Sequence, residues 1–127
     1  MEKDTLKGKK VLIVEDNLAS RLYLNKILEK TGVIILNSGD GKEAVEMLIN
    51  TPDIDMVLMD IQLPVLDGYT AARQIRDMGR NTILIAQTAY GMAEDMDKIL
   101  AAGFNDYMIK PIFSDQLIEK LSSYLNK

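Results

Sequence analysis

The sequence predicts an α/β fold of three layers, with helices on both faces of a parallel β-sheet. Two observations support this prediction. Short apolar runs alternate with amphipathic helical segments five times along the chain, and this alternation is typical of βαβ crossovers between parallel strands. The runs are almost continuously apolar, as expected for strands buried on both faces. A chain of 127 residues, of which 47% are hydrophobic, is long enough for one domain with a single core.

The predicted strands comprise residues 11–14, 33–36, 56–59, 83–86 and 107–109. The second of them is expected to lie at an edge of the sheet. Residues 1–8 contain little that could be buried, so we expect a flexible N-terminal lead-in. The domain itself is then expected to cover residues 9–127.

Helix signals lie between the predicted strands. Asp40 is followed three residues later by Glu43, which resembles a capping box, and Ser114 is a suitable N-cap for the last helix. Three glycines stand where left-handed helix ends are expected, namely Gly32, Gly79 and Gly103.

The first predicted helix carries apolar residues on two sides. The side expected to pack on the sheet contains Tyr23, Leu24, Ile27 and Leu28. Leu18 and Leu22 point the other way and lie one turn apart, so they are expected to form an exposed ridge. Ile112 and Phe113 could add apolar surface to this ridge from the loop after the fifth strand.

The composition excludes several functional classes. The net charge is −4, from 15 Lys and Arg against 19 Asp and Glu, so no basic field is available to bind nucleic acid or anionic lipid. The chain contains no cysteine and no histidine, which excludes disulfides and removes the commonest general base and zinc ligand. No apolar stretch is long enough for a signal or membrane span. We therefore expect a cytoplasmic protein without direct contact to nucleic acid or membrane.

Polar residues follow four of the predicted strands. The first strand is followed by Glu15 and Asp16, the third by Asp60, the fourth by Thr88 and the fifth by Lys110. Ligands of open parallel sheets bind beyond the carboxyl ends of the strands, which favours a site here and the strand order 2-1-3-4-5. Three converging carboxylates would repel one another without a cation, and oxygen ligands suit Mg²⁺. The sequence therefore predicts a Mg²⁺ site at this edge.

Simpler interpretations exist for each of these residues taken alone. Asp16 could cap the next helix, Lys110 could be a solvated strand end, and Thr88 could be a turn hydroxyl. These interpretations do not explain why all of them follow strands at the same edge of the sheet.

Four stretches of the sequence together resemble the receiver domains of two-component signalling. They are residues 11–17 (VLIVEDN), 59–68 (MDIQLPVLDG), 88–89 (TA) and 106–111 (DYMIKP). The resemblance covers nearly everything from residue 9 to residue 125, and the first two stretches look most like receivers of hybrid histidine kinases. It implies a flavodoxin-like (CheY-like) fold with five flanking helices.

The resemblance also implies roles for individual residues. Asp60 would be the nucleophile and phosphoacceptor. Mg²⁺ would be held by Glu15, Asp16 and Asp60, with the backbone carbonyl of Gln62 as a further ligand. Such a chain is not a conventional enzyme, because it catalyses only its own aspartyl phosphorylation and dephosphorylation.

The residues around the phosphoacceptor would act on the attached group. Thr88 would donate a hydrogen bond to a phosphoryl oxygen and Lys110 would pair with the same group. The peptide bond between Lys110 and Pro111 would be cis, and Tyr107 would change rotamer together with Thr88. The side chains of Gln62 and Tyr90 would lie beside the path of attacking water and tune the lifetime of the phosphoryl group.

The phosphodonor implied by the resemblance is a histidine kinase or a histidine phosphotransfer protein, since the chain has no nucleotide-binding motif such as a P-loop. The ridge of Leu18 and Leu22, with Ile112 and Phe113, would dock on the helix that bears the donor histidine.

Three other functions fit parts of the same pattern. A phosphohydrolase of the haloacid-dehalogenase type also uses a strand-end aspartate, but its general acid normally lies two residues later, where this chain has Gln62. A flavodoxin-like cofactor binder would need a phosphate loop where Glu15 and Asp16 would repel phosphate. A degenerate receiver that acts only as an interaction module would not need Asp60, Thr88 and Lys110 together, and labelling by a small phosphodonor would decide.

Overall fold

Residues 6–89 and 91–126 are described by a computed structural model. They form an α/β fold in which strands and helices alternate along the chain. The elements are β1 (Lys10–Val14), α1 (Leu18–Glu29), β2 (Ile34–Ser38), α2 (Gly41–Asn50), β3 (Met56–Asp60), α3 (Gly68–Asp77), β4 (Ile83–Thr88), α4 (Ala93–Ala101), β5 (Asp106–Ile109) and α5 (Ser114–Leu125).

The five strands form one parallel sheet in the order β2-β1-β3-β4-β5. The predicted three-layer fold, strand order and edge position of the second strand are therefore confirmed. In the middle of the sheet, side chains alternate between two hydrophobic clusters, one on each face. Leu12 and Val14 of β1 belong to the cluster covered by α2, α3 and α4, whereas Val11 and Ile13 belong to the cluster covered by α1 and α5.

The predicted helix boundaries are confirmed at most positions. Asp40 caps α2 by accepting the backbone N–H of Glu43 at 2.7 Å, and the three predicted glycines have the positive φ angles of left-handed helix ends. Ser114 is not the cap of α5, because the helix begins one position earlier than expected. Phe113 is the N-cap, and its carbonyl accepts the N–H of Leu117 at 3.0 Å.

Expectations about burial are wrong at the start of the chain and in α1. Tyr23 does not pack on the sheet with its predicted neighbours but is 48% exposed, because its hydroxyl donates a hydrogen bond to the Ile112 carbonyl at 2.6 Å from the edge of the helix. Leu6, within the predicted lead-in, is fully buried against the α1–α5 face. The hydrophobic core thus extends to Leu6, ahead of residue 9.

Within the described part of the chain, none of the helices has the length and apolar character that crossing a membrane requires.

Candidate functional site

The carboxyl ends of β1, β3, β4 and β5 bring together the polar residues predicted from the sequence. Glu15 follows β1, Asp60 and Thr88 are the last residues of their strands, and Lys110 follows β5. Asp60 is 5% exposed and Glu15 only 1% exposed, while Asp16 faces solvent. The sheet therefore presents one accessible and two buried carboxylates at a single edge.

The three carboxylates form a cluster that fits a metal ion. Glu15, Asp16 and Asp60 each place an oxygen within 4.8 Å of the others. All available donors are oxygens, and Asp16 leaves the cluster open to water, which suits a hard cation such as Mg²⁺. Asn17, rather than Asp16, caps α1 by accepting the N–H of Ser20 at 2.9 Å, so helix capping does not account for Asp16.

Glu15 is the member of this cluster whose charged form is disfavoured by its surroundings. Its pKa is raised above the ordinary value, chiefly by burial and further by the negative charges of Asp60 and Asp16. The backbone N–H of Asn17, which donates to Glu15 Oε2 at 3.1 Å, and the positive charge of Lys110 act in the opposite direction. The second oxygen, Oε1, has no hydrogen-bond partner among residues 6–89 and 91–126. A bound cation would relieve this accumulation of negative charge.

The Asp60 carboxylate is held by one contact to each oxygen. Lys110 Nζ lies 2.6 Å from Oδ2, and the backbone N–H of Gln62 donates to Oδ1 at 2.9 Å. The side chain of Asp60 is buried, and that of Lys110 is only partly exposed. The carboxylate is thus held in one orientation at the end of β3, with a positive charge beside it.

The loop after β3 passes close to Asp60 because Gly68 begins α3. A Cβ atom at Gly68 would lie 2.7 Å from the carbonyl oxygen of Asp60 and 2.8 Å from the Cα of Ile61. Asp67 caps the same helix through the N–H of Thr70 at 2.9 Å. Gly68 therefore allows the start of α3 to pack directly against the end of β3.

A cavity of about 310 Å³ opens beside Asp60. Asp60, Thr88 and Lys110 line it, together with residues of the β3–α3 loop, of α3, of the segment after β4 and of α4, namely Ile61, Gln62, Asp67, Tyr69, Ala89 and Asp95. The space admits a phosphoryl-sized group, which would meet a hydroxyl from β4 and an ammonium from the segment after β5. Charge-assisted hydrogen bonds of this kind are among the stronger ones in proteins.

Several further predictions can be compared with the geometry. The Lys110–Pro111 peptide bond is cis, as predicted. Tyr107 is partly buried and packs against the cluster under α2, α3 and α4. The side chain of Gln62 is exposed next to Asp60, and Tyr90 lies outside the described residues.

The predicted docking ridge is present only in part. Leu18 and Leu22 are exposed, at 63% and 60%, and Phe113 is exposed as well. Ile112 is wrong as a surface residue, because it is 5% exposed and packs in the core between α1 and α5. The backbone carbonyl of Ile112 accepts the hydrogen bond from the Tyr23 hydroxyl.

The sequence-based prediction assigned no role in the site to two residues that lie near it. The guanidinium of Arg21 donates to the carbonyl of Glu15 at 3.0 Å and 3.3 Å, and Gln87 is buried on β4 directly opposite Asp60 in the strand register. Nothing in the spacing of Arg21 indicated its contact with a strand end. Gln87, however, is a polar residue inside an otherwise apolar run, and that signal was visible.

A comparison with protein families gives a match to the response regulator receiver domain over residues 11–122. Two-component system protein A of Emericella nidulans is 40% identical over 115 residues, which are 89% of this chain and 17% of that protein. Hybrid signal transduction histidine kinase I of Dictyostelium discoideum is 35% identical over 126 residues, which are 93% of this chain and 7% of that protein. The chain thus spans a small part of these much longer relatives.

Solved structures show the same similarity. The receiver domain of a Saccharomyces cerevisiae response regulator, crystallised with a histidine phosphotransfer protein, has a TM-score of 0.87 and 33% identity, covering 92% of this chain and 88% of that one. The receiver domain of a Pseudomonas aeruginosa sensor histidine kinase has a TM-score of 0.86 and 36% identity, covering 94% and 99%. That structure contains a magnesium ion coordinated in its active-site cleft.

Proposed function

We propose, from the premise that this chain belongs to the response regulator receiver domain family of two-component systems, that Asp60 accepts a phosphoryl group from a phosphohistidine. The observation that carries the proposal is the setting of the Asp60 carboxylate. It is buried at a strand end, oriented by Lys110 and the Gln62 N–H, and faces both the acidic cluster and a cavity of about 310 Å³.

In this reaction an oxygen of Asp60 attacks phosphorus, the phosphorus–nitrogen bond of the phosphohistidine breaks, and the imidazole leaves. Attack by a carboxylate on a phosphoryl group brings negative charges together, so positioning and charge neutralisation carry most of the catalysis. Lys110 supplies a positive charge from one side, 2.6 Å from Asp60. The chain catalyses phosphorylation and dephosphorylation of its own aspartate only. It is therefore a signalling domain rather than a conventional enzyme.

Mg²⁺ would be held by Glu15, Asp16 and Asp60 together with the backbone carbonyl of Gln62. When bound, it supplies the remaining positive charge that the transferred phosphoryl oxygens need. Support comes from the oxygen cluster within 4.8 Å and from the magnesium ion in the similar Pseudomonas receiver. Before Mg²⁺ binds, the negative charges of Glu15 and Asp16 favour a divalent cation in the pocket over a free phosphate ion.

Phosphorylation would change the conformation through Thr88 and Tyr107. Thr88 ends β4 and lines the cavity beside Asp60, so its hydroxyl is positioned to donate to a phosphoryl oxygen, while Lys110 pairs with another. Tyr107 pairs with Ala86 in the strand register, two residues before Thr88. A movement of the Thr88 side chain toward the phosphoryl group would give the aromatic ring room to turn, which is a two-state element at the margin of the site.

The phosphodonor is proposed to be a histidine kinase or a histidine phosphotransfer protein, in the cytoplasm. The exposed ridge of Leu18 and Leu22 at the start of α1, with the exposed Phe113 before α5, offers apolar surface for a donor helix. The similar yeast receiver was crystallised in complex with a histidine phosphotransfer protein. Direct binding to nucleic acid or to a membrane forms no part of the proposal, given the net charge of −4.

The lifetime of the phosphoryl group is proposed to depend on the side chains two positions after Asp60 and Thr88. Gln62 is exposed at the mouth of the cavity, where water must approach. Tyr90 is large enough to shield the group, so Tyr90→Ala is expected to hydrolyse faster.

The central test is labelling by a small phosphodonor. Acetyl phosphate or beryllium fluoride with Mg²⁺ is expected to modify or load the protein at Asp60, and Asp60→Ala is expected to abolish the modification. Asp77→Ala, which removes an exposed carboxylate at the far end of α3, is the matched control and should be labelled like the original protein. Intact-mass and peptide mass spectrometry give the readout, and the same phosphoryl adduct on Asp60→Ala would defeat the proposal.

A further inference from the structure

Gln87 is a buried polar residue in a strand that is otherwise apolar up to Thr88. Its side chain is 1% exposed, and its amide nitrogen has no hydrogen-bond partner within residues 6–89 and 91–126. Leaving a buried donor unsatisfied costs roughly 1–3 kcal/mol. A glutamine at this position is therefore expected to serve a purpose that an apolar residue would not.

The sheet places Gln87 on the same face as Glu15. Alternation along β4 puts Gln87 on the side of Ile85, and alternation along β1 puts Glu15 on the side of Ile13, which is the face covered by α1 and α5. Asp60 lies between them on β3, opposite Gln87 in the strand register. Gln87 thus approaches the acidic cluster from the interior of the protein.

Gln87 and Glu15 share a second cavity, separate from the one beside Thr88. It measures about 180 Å³, and Glu15, Gln87 and Lys110 are among the residues that line it. The cavity lies behind the acidic cluster, between α1 and the segment after β5. It is large enough for water and has polar groups on opposite walls, which are the conditions under which buried water bridges are found.

The two unpartnered atoms at this cavity are complementary. The amide nitrogen of Gln87 can only donate, and Glu15 Oε1 can only accept when the carboxylate is ionised. The ammonium of Lys110 also lines the cavity but only donates, so it offers no partner to Gln87. Both oxygens of Asp60 already have a contact, with Lys110 and with the Gln62 N–H.

We propose that Gln87 is a positioning residue for Glu15, whose Oε1 accepts a hydrogen bond from a water that the Gln87 amide holds in this cavity. With Asn17 donating to Oε2, the carboxylate is then held from two sides and keeps its remaining lone pairs directed toward the cluster with Asp16 and Asp60. The inference rests on the Mg²⁺ site of the proposed function. It assigns to β4 a role in preparing that site, in addition to the role of Thr88.

The test compares Mg²⁺ affinity in Gln87→Met, which keeps the length of the side chain and removes the donor. Residues that orient a metal ligand typically contribute tenfold or more to affinity, so we expect calorimetry to give Mg²⁺ binding weaker by about tenfold. Ile85→Met, two residues earlier on the same strand and face, controls for repacking and should leave the affinity unchanged. In a Glu15→Met background the Gln87→Met substitution should have no further effect, because the oxygen acceptor through which it acts is gone.

A second measurement uses the metal-free protein and needs no substitution at Gln87, so it can be made even if Gln87→Met does not fold. The side-chain amide resonances of Gln87 in a ¹⁵N NMR spectrum should move when Glu15 is replaced by Met, and should stay in place in Asp77→Asn. Unmoved resonances, or an equal loss of Mg²⁺ affinity with and without the Glu15 carboxylate, would overturn the inference. Unchanged Mg²⁺ affinity in Gln87→Met, with normal binding by the original protein, would overturn it while leaving the proposed function intact. Failure of the original protein to bind Mg²⁺ would instead overturn the metal site itself.

Discussion

At the scale of single residues, the charge balance around Asp60 determines what the site can do. Three carboxylates lie within 4.8 Å of one another, and the ammonium of Lys110 contacts one of them, Asp60, at 2.6 Å. Two unit charges at such a distance repel by about 3–4 kcal/mol at an effective dielectric constant near 20, and by less where a carboxylate is exposed, as Asp16 is. The metal-free pocket is therefore expected to carry a cost that a divalent cation removes.

The first prediction at this scale concerns Asp16, the exposed member of the cluster. Asp16→Asn is expected to weaken Mg²⁺ binding by more than about tenfold, because a hard cation depends on the charge of its ligands. The same change should raise the free energy of unfolding of the metal-free protein slightly, since one repulsive charge is removed. Calorimetry and urea denaturation with a chelator measure the two effects. Asp77→Asn serves as the charge-matched control, and equal Mg²⁺ affinity in both variants would mean that the metal site is assigned to the wrong residues.

At the scale of secondary structure, α1 faces the core on one side and solvent on the other. Leu24, Ile27 and Leu28 are buried, whereas Leu18 and Leu22 extend into solvent from the first two turns, just beyond the acidic cluster. A partner that docks on this ridge would bring its histidine close to Asp60. One face of α1 thus packs in the core, while its other face presents exposed leucines beside the site.

The prediction for this element is a difference between two phosphodonors. Leu18→Asp or Leu22→Asp should slow transfer from the cognate phosphohistidine protein by roughly ten- to thirtyfold, the loss expected for about 1.4–2 kcal/mol at a central interface position. Labelling by acetyl phosphate should be nearly unchanged, because a small molecule does not use the ridge. Ile49→Asp, which alters an exposed apolar residue of α2, is the control. If both donors are slowed equally, the effect lies in folding or in the site; if neither is slowed, the partner docks elsewhere.

A second element-scale prediction concerns the junction of β5 and α5. Asp106 accepts the N–H of Tyr107 at 2.8 Å, the Lys120 ammonium at 3.0 Å and the Tyr124 hydroxyl at 3.0 Å. Burial alone would raise its pKa, but these three donors outweigh burial and lower the pKa below 3.8. Since the native pKa is depressed, the stabilisation is present above pH 3.8 and is lost as the pH falls through the native value.

Asp106→Asn should therefore lower the free energy of unfolding by about 1–2 kcal/mol at neutral pH. The difference from the original protein should shrink as the pH falls below 3.8, because protonation then neutralises Asp106 in the original protein, as the substitution already does in the variant. Urea denaturation over a pH series measures it, with the exposed Asp97 changed to Asn as control. A difference that is independent of pH would show that the ionised form of Asp106 is not what stabilises this junction.

The errors of the sequence-based predictions also belong to this scale. Strand positions, left-handed glycines and the strand-end residues follow from local patterns, and these predictions were confirmed. Tyr23 was placed in the core because helical spacing puts it beside Leu24, but its hydroxyl requires a polar partner, which it finds at the edge of the helix. Ile112 was placed on the surface because it follows a strand, whereas packing between α1 and α5 buries it. Contacts between distant segments decide both cases, and the local pattern does not contain them.

At the scale of the whole molecule, the site joins four of the five strands. Asp60 and Thr88 end β3 and β4, while Glu15 and Lys110 directly follow β1 and β5. Each of these strands packs into one or both hydrophobic clusters. A ligand held by all four residues therefore binds only when the sheet is assembled. Ligands that bind the native state alone stabilise it in proportion to the logarithm of their concentration.

The last prediction follows from this coupling. Mg²⁺ with beryllium fluoride, at about a hundred times the dissociation constant, should stabilise the fold by about 2.7 kcal/mol. For a domain of this size that corresponds to a rise in Tm on the order of 10 °C, measured by calorimetry or by circular dichroism. Asp60→Ala should show no rise with beryllium fluoride, since the fluoride complex has no carboxylate to bind, and fluoride without beryllium is the control for salt. Thr88→Ala should keep part of the rise, because Asp60 and Lys110 still hold the ligand while the contact from β4 is lost. An equal rise in the Asp60→Ala variant would place the ligand away from the strand ends.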